Sequence, residues 1–279
     1  MKYLIEDYQA AGRSVKEKLE LETEPVAIKF IKNISEIPDD FIRPVRDTGK
    51  MWALCQGLNA ARCEGKYVAL TAEDNPCTPA TVGHGWVKVS ILDFLKSQTT
   101  NKWQKNLLSV IKHNHARMRM GGFMANWPWS RFLGRKGMMV APLSKTPFIP
   151  DTVQIYGYPL QMMHASHAFC FEGKYVPKAS INGFGEACFA AGTFPSISKK
   201  PIFVLLGGGD RAFGGSKKYE TAIGMPGFLV FYLDKFLYKT GGDDCDLKEL
   251  CDNPLTEVDV DSFPGWRDVY EVMKKNNSF

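Results

Sequence analysis

The sequence lacks the signatures of several large classes of protein. No apolar run approaches the roughly 20 residues that cross a bilayer, so we expect no membrane helix. Acidic residues, Glu6 and Asp7, stand where a secretion signal would carry its apolar stretch, so we expect no export. The chain has no serine-nucleophile elbow, no His-Glu-x-x-His motif and no paired-carboxylate signal. Membrane proteins, secreted proteins and the hydrolases that carry these motifs are therefore disfavoured.

Nucleotide and nucleic-acid signatures are also absent. The glycine run Gly207-Gly208-Gly209-Asp210-Arg211 has neither the Gly-x-Gly-x-x-Gly spacing nor the lysine–serine pair of a phosphate loop. A net charge of +5 is mild and is spread along 279 residues, so it does not indicate a nucleic-acid partner. The basic stretch Lys112 to Arg119, with Arg131, Arg135 and Lys136, could bind RNA, but a solvated helix face is the better interpretation. RNA association is kept only as an alternative.

What the chain does contain is typical of a globular protein with free thiols. Hydrophobic residues make up 44% of the sequence and charged residues 23%, which is ordinary for a folded soluble domain. Seven cysteines without an export signal indicate a reducing compartment, in which thiols stay free or bind metals. We therefore expect a cytoplasmic protein without a disulfide framework.

The predicted elements occur twice in the same order. A strand at Val26–Ile31, a helix at Trp52–Cys63 and the residues Glu64-Gly65-Lys66-Tyr67-Val68 form the first series. A strand at Thr152–Gly157, a helix at Pro159–Phe171 and a second Glu-Gly-Lys-Tyr-Val form the other series. Each series then runs through a polar loop to a cysteine and a glycine. This order indicates an internal duplication.

We therefore predict an α+β fold in which two internally duplicated α/β halves pack as one compact domain around a pseudo-twofold axis. The halves span approximately residues 22–150 and 151–240, and a helical tail follows at 241–279. No long linker or low-complexity tract interrupts the chain, so residues 1–279 are expected to form a single domain. A homo-oligomer is compatible with this arrangement.

Cysteines near the expected axis are the strongest candidates for a cofactor site. Cys55, Cys63 and Cys77 have 7 and 13 residues between them, which matches neither zinc-ribbon nor ferredoxin spacing. The duplication, however, would place Cys77 and Cys188 on equivalent loops, with Cys55 at the head of the first helix close by. Three or four converging thiolates could hold an iron–sulfur cluster or zinc. The alternative is that these cysteines are small residues that fill tight turns.

The glycine run is a second candidate for ligand contact. Backbone amides of Gly207–Gly209 and the guanidinium of Arg211 could hold an anionic group of a ligand. The same run could instead be a tight turn that lets two backbones approach. Arg211 could also form a structural ion pair with Glu220.

Histidines are weaker candidates than the cysteines. His84 follows Cys77 closely and could supply a fourth ligand. His164, His167 and Cys170 are spaced three apart on one face of a predicted helix, where a metal or haem site is conceivable. Structural histidines are commoner in such a position, and we prefer that interpretation.

Two ordered sets of residues give the chain a family resemblance. The first half carries, in order, Pro25-Val26-Ala27-Ile28-Lys29-Phe30, a helix from Cys55 to Ala61-Arg62, and Pro76-Cys77. The second half carries, in order, Gly185-Glu186-Ala187-Cys188, the strand Phe203–Leu206 before a glycine–arginine turn, and Ile223-Gly224-Met225-Pro226. In this order, over residues 15 to 235, the chain resembles the domain of unknown function 169, DUF169.

The resemblance implies no general function, because the family has none assigned. The resembling proteins are common in anaerobic archaea and bacteria. An iron–sulfur cluster or another oxygen-sensitive cofactor fits that setting. Relatives often carry a cysteine after the second-half strand, at the place that Gly207 occupies here. If those cysteines are ligands, this chain has lost one, and Cys63 or His84 would replace it.

The sequence therefore predicts a cofactor-binding protein that holds an iron–sulfur cluster at the junction of its halves. The predicted metal ligands are Cys55, Cys63, Cys77 and Cys188. The predicted contacts to a ligand are Gly207, Gly208, Gly209 and Arg211. The alternative is a metal-free small-molecule-binding protein or enzyme that uses the cleft between the two halves. The residues identify neither a substrate nor a reaction.

Overall fold

A computed structural model describes residues 3–87, 134–181, 185–237 and 264–276 of the chain. The basic stretch Lys112 to Arg119 and Arg131 lie outside these residues, as do Cys245 and Cys251. The chain divides into two compact units, residues 1–242 and 243–279. The second unit contains a helix at Pro264–Lys275, within the predicted helical tail. The sheet and the helices that cover it belong to the first unit.

The seven strands of the described residues form one sheet. Their bounds are β1 Val26–Ile31, β2 Val68–Thr71, β3 Gly137–Pro142, β4 Thr152–Gly157, β5 Lys178–Ser180, β6 Ile202–Leu205 and β7 Thr221–Pro226. Their order in the sheet is β2-β3-β1-β4-β7-β6-β5. All neighbours are antiparallel except β5 and β6, which are parallel. The prediction of a mixed fold of helices and strands is confirmed.

Helices cover both faces of this sheet. Their bounds are α1 Ile5–Lys18, α2 Pro44–Thr48, α3 Leu54–Glu64, α4 Thr78–Gly83, α5 Pro159–Cys170, a π-helix Glu186–Ala191, α6 Pro195–Ser198, α7 Gly208–Ala212 and α8 Leu229–Leu237. Helices α1, α5 and α8 pack into a large apolar core on one face. Helix α3 and the π-helix pack into a second core on the other face. Among the described helices, none combines the length and the apolar character that a membrane crossing requires.

Alternate residues of a strand supply the two cores, as β1 illustrates. Val26, Ile28 and Phe30 belong to the core beneath α3 and the π-helix. Ala27 and Ile31 belong to the opposite core, beneath α1, α5 and α8. Because both faces are covered, the strand is a nearly continuous apolar run rather than an alternating one. That run predicts β1 with the bounds that the structure has.

The repeated Glu-Gly-Lys-Tyr-Val sequence does not lead into equivalent strands. The first copy, Glu64–Val68, leads into β2, which pairs antiparallel with β3. The second copy, Glu172–Val176, leads into β5, which pairs parallel with β6. The expectation that the two copies lead into equivalent strands is wrong, because β2 and β5 differ in their pairing within the sheet. Among the described residues, the second half has four strands and the first half three.

Gly224 lets β7 approach the π-helix closely. A Cβ atom at this position would lie 1.8 Å from the carbonyl oxygen of Ala191. We expect Gly224→Ala to destabilise the fold by about 3 kcal/mol, because backbone on both sides must move apart. Urea unfolding measures this loss. Gly208→Ala is the control, since a Cβ there meets no atom within 4 Å. Equal losses for the two variants would contradict the explanation.

Candidate functional site

Three of the four predicted cysteine ligands lie around one cavity. Its volume of about 490 Å³ is within the range of small-molecule and cofactor sites. Its wall comes from α3, the loop before α4, the π-helix and the turn after β6. The lining residues are Ala53, Leu54, Cys55, Gln56, Pro76, Cys77, Ala80, Gly185, Cys188, Phe189, Gly207, Gly209, Asp210 and Phe213. Thiols from three distant segments of the chain therefore share one cavity.

Cys55 stands in the first turn of α3. The helix begins where the Gln56 side chain folds back, and its Oε1 accepts a hydrogen bond from the Ala53 amide at 2.7 Å. The Cys55 Sγ donates to the carbonyl of Gly209 at 3.6 Å. Cys55 therefore joins the head of α3 to the turn after β6.

Asn75 and Thr81 fix the loop that carries Cys77. The Asn75 side-chain oxygen accepts a hydrogen bond from the Cys77 amide at 3.3 Å, and its nitrogen donates to the Thr81 hydroxyl at 3.1 Å. The Thr81 hydroxyl donates to the Cys77 carbonyl at 3.2 Å. Both supporting side chains are buried. The backbone of Cys77 is thus held on both sides, which fixes the position from which its side chain starts.

Cys188 lies in the π-helix, so the prediction that it lies on a loop is wrong. The glycines that suggest a loop, Gly185 and Gly192, stand at the two ends of this helix. Gly185 has a φ of +65°, a conformation that glycine adopts without strain. Turns of π-helix are rare and occur frequently at functional sites. The local sequence favours a loop, whereas packing against the sheet produces a helix.

His84 supports Cys188 without lining the cavity. Its buried ring has Nδ1 at 2.7 Å from the Ala80 carbonyl oxygen and Nε2 at 2.8 Å from the Thr193 hydroxyl. Because a carbonyl can only accept, Nδ1 carries the proton of the neutral ring. Nε2 then accepts from the Thr193 hydroxyl, which also lies 3.0 Å from the Cys188 carbonyl oxygen and has one proton to share between the two acceptors. His84 thus joins α4 to the π-helix.

Asp210 is a fourth acidic group in the cavity wall, and no sequence motif marks it. It lies in α7 and is 5% exposed. Its carboxylate accepts a hydrogen bond from the Gly207 amide at 2.9 Å, which closes the turn after β6. No lysine, arginine or histidine of the described chain lines the cavity. The wall therefore holds four groups that can become anions and no cation from these residues.

Burial and mutual repulsion disfavour the anionic forms of these four groups. Burial, together with the charges of Asp210 and Cys77, raises the pKa of Cys55 to about 12. Burial also raises the pKa of Cys188 well above its ordinary value, and Asp210 adds to the effect. The pKa values of Cys77 and Asp210 are raised as well, again mainly by burial. A positively charged occupant would oppose these shifts, because it favours the thiolate and carboxylate forms.

Cys63 does not share the cavity with the other three cysteines. It follows Cys55 by eight residues on α3, so it lies about 12 Å further along the helix axis. Its side chain is exposed, and its Sγ donates to Asn59 Oδ1 at 3.3 Å. The structure therefore separates Cys63 from the predicted ligand set.

Two of the predicted ligand contacts, Gly207 and Gly209, line the cavity. The other two, Gly208 and Arg211, do not. The Arg211 guanidinium donates to the carbonyl of Lys217. At this turn the cavity wall contains Asp210 instead. An anionic ligand group would therefore meet a carboxylate rather than a guanidinium.

Arg62 and Glu220 form a buried ion pair between α3 and the start of β7. The two Arg62 Nη atoms donate to the two Glu220 carboxylate oxygens at 2.8 and 3.1 Å. The guanidinium also lies over the Tyr156 ring, 4.2 Å from its centroid. Burial alone would raise the pKa of Glu220, but the hydrogen bonds from Arg62 lower it. The expected alternative, a pair of Arg211 with Glu220, is wrong because Arg62 occupies both carboxylate oxygens.

We expect Arg62→Met to destabilise the protein by about 3–5 kcal/mol, because it leaves the Glu220 carboxylate buried without its partner. The double variant with Glu220→Gln should regain much of this loss, since the unpaired charge is gone. Urea unfolding of the four proteins gives the coupling free energy. Losses that simply add in the double variant would contradict a direct interaction.

Single-ion metal sites are absent from the described residues. Within them, no group of three or more histidine, cysteine, aspartate or glutamate side chains is arranged to hold a metal ion. His164, His167 and Cys170 lie on α5, which packs on the sheet face opposite α3. None of the three lines the cavity. Their role stays structural in our interpretation.

His84 makes stability depend on pH. Burial lowers its pKa from 6.5 to about 4, so the folded ring stays neutral where the unfolded chain takes up a proton. Stability is therefore lost as the pH falls from 6.5 toward 4, and His84 accounts for a loss on the order of 2–3 kcal/mol between pH 7.5 and pH 4.5. Urea unfolding at these two pH values measures the loss.

His84→Gln should be less stable than the wild type at pH 7.5 but should show a smaller pH dependence. His167→Gln, on the exposed side of α5, is the control and should keep the wild-type pH dependence. The same pH dependence in wild type and His84→Gln would show that another group is responsible.

Comparisons with known proteins identify a family whose profile lies within the first compact unit, residues 1–242. The sequence profile of DUF169, described as uncharacterised ArCR, matches residues 14–230, which include every residue of the cavity wall named above. An uncharacterized protein of Methanocaldococcus jannaschii is 22% identical over 236 residues, which are 80% of this chain and 90% of the relative. No solved structure matches the chain. Since the profile covers well over half of its length, the chain belongs to the DUF169 family.

Proposed function

We propose that the cavity holds an iron–sulfur cluster and that Cys55, Cys77 and Cys188 are its protein ligands. The observation that carries this proposal is that three thiols from separate segments line one cavity of about 490 Å³. Cysteine thiolates are the usual ligands of such clusters. All five cysteines of the described chain are free, which suits the reducing, cytoplasmic setting that the sequence predicts.

The charge of the wall supports a thiophilic occupant that brings positive charge. The lining contains three thiols and the Asp210 carboxyl, all with raised pKa values, and no cation from the described residues. An anionic ligand would add to the repulsion among these groups. Iron would instead favour their ionised forms and balance their charge. Binding should therefore release protons and strengthen as the pH rises.

A cluster suits the cavity better than a single ion. The sulfur ligands of one zinc ion lie about 2.3 Å from the metal and must converge closely. No such close group occurs among the described residues. A cluster contributes its own iron and sulfide atoms, so its protein ligands stand further apart. A cavity of about 490 Å³ also exceeds what one ion needs.

We also infer that the halves arose by duplication around an axis between β1 and β4. These two strands pair antiparallel at the middle of the sheet. Outward from them lie β3 and then β2 on one side, and β7 and then β6 on the other. Every one of these neighbours is antiparallel. Strand β5 is then an addition at one edge.

Two local features support this correspondence. Helix α3 and the π-helix lie on the same face of the sheet, and each carries a cysteine, Cys55 or Cys188, in its first turn. After β2, the Asp74 carboxylate accepts a hydrogen bond from the amide three residues earlier, at 3.1 Å. After β6, Asp210 does the same at 2.9 Å. The proposed axis therefore relates Cys55 to Cys188, rather than Cys77 to Cys188.

Anaerobic reconstitution tests the cluster. We expect wild-type protein incubated with Fe²⁺ and sulfide to retain both after gel filtration and to show the broad visible absorption of a cluster. Cys55→Ser and Cys188→Ser should each lower the retained iron severalfold, because a serine hydroxyl is a poorer ligand for iron than a thiolate. Iron and sulfide analysis measures the loss.

Cys170→Ser is the matched control, since this cysteine is exposed and lies on the other face of the sheet. It should retain as much iron as the wild type. Cys63→Ser tests the predicted fourth ligand, and from its position we expect no loss. A colourless wild-type protein with iron and sulfide at background levels would remove the proposal.

A metal-free small-molecule site is the second candidate. The observation that favours it is the apolar part of the wall, which includes Leu54, Phe189 and Phe213. In that case the cavity thiols of anaerobically purified protein would react with an alkylating agent at a rate that chelators do not change. Cluster ligands would instead be protected until the cluster is removed.

A further inference from the structure

Three cysteines leave one position of a four-ligand cluster without a protein thiolate. The predicted fourth ligand, Cys63, is exposed and lies away from the cavity. The alternative, His84, has both ring nitrogens within hydrogen-bond distance of other groups and does not line the wall. Among the described lining residues, the remaining side chain that can bind a metal as an anion is Asp210.

Asp210 lines the same cavity as the three thiols and is held in place. It is buried, and its carboxylate accepts hydrogen bonds from the Gly207 amide at 2.9 Å and from the Ala187 amide. A carboxylate has about four lone-pair sites on its two oxygens, so these two bonds leave sites for a metal. The side chain is therefore both available and fixed.

The wall receives its metal-binding groups from four separate segments. Helix α3 supplies Cys55 and the π-helix supplies Cys188, each from its first turn. The loop after β2 supplies Cys77, and the turn after β6 supplies Asp210. All four groups therefore share one cavity although they are distant in the chain.

We propose that Asp210 is the fourth protein ligand of the cluster that Cys55, Cys77 and Cys188 hold. This assignment rests on the proposed function, because it requires a cofactor in the cavity. An oxygen donor is harder than a thiolate and suits iron–sulfur chemistry less well. An iron held by Asp210 would therefore be bound less tightly than an iron held by a cysteine.

Asp210→Asn and Asp210→Cys test the assignment. The asparagine keeps an oxygen that can accept from the Gly207 amide but removes the anionic donor. After anaerobic reconstitution with Fe²⁺ and sulfide, we expect Asp210→Asn to release iron to a chelator on the order of tenfold faster than the wild type. Asp210→Cys should release it more slowly than the wild type and should change the EPR spectrum of the reduced cluster.

Asp234→Asn, on α8 at the opposite face, is the control and should release iron at the wild-type rate. Unfolding of the metal-free Asp210→Asn protein measures any effect on the fold separately, because the amide nitrogen of asparagine cannot replace a carboxylate oxygen that accepts from Gly207 or Ala187. Equal iron release and equal EPR spectra in wild type and both Asp210 variants would overturn this inference alone. A wild-type protein that binds no iron would overturn the proposed function, and the inference with it.

Discussion

The geometry of the cavity depends on the buried ion pair of Arg62 and Glu220. Removing two charges from water is costly, and the cost is offset because the guanidinium donates to both carboxylate oxygens and lies over the Tyr156 ring. Arg62 is in the last turn of α3, and Glu220 directly precedes β7. A rotation of α3 would break both hydrogen bonds together. The pair therefore fixes the helix that carries Cys55 against the sheet.

The opposite wall is held by close packing rather than by charge. Strand β7 approaches the π-helix because Gly224 has no side chain to collide with the Ala191 carbonyl. Gln154 of β4 donates from the sheet to the Ala187 carbonyl of the same helix at 3.1 Å. Cys188, one residue further on, is therefore fixed relative to the sheet. Walls that are rigid before a ligand arrives reduce the ordering cost of binding it.

Local sequence predicts the strands β1 and β4 with their observed bounds, and every residue of β4 is buried because both faces of the sheet are covered. Three of the four predicted cysteine ligands also line one cavity. Local sequence rules do not predict the π-helix that follows Gly185. This helix depends on the packing of Phe189 against residues that are distant in the chain. The role of Asp210 in the cavity wall is not predicted, because no local motif marks this residue. The pair of Arg62 and Glu220 is not predicted either, because the two residues are distant in the chain.

The electrostatics of the cavity disfavour a free cysteine nucleophile. Reactive cysteines have lowered pKa values beside cations or at helix N-termini. Cys55 stands in the first turn of a helix, yet burial and Asp210 raise its pKa to about 12. The neutral thiol is a weak nucleophile, and the wall offers no cation from the described residues to activate it. The burial that raises the pKa of these thiols would also make them selective as donors in the proposed site, because a ligand that brings positive charge offsets the free energy needed to ionise them.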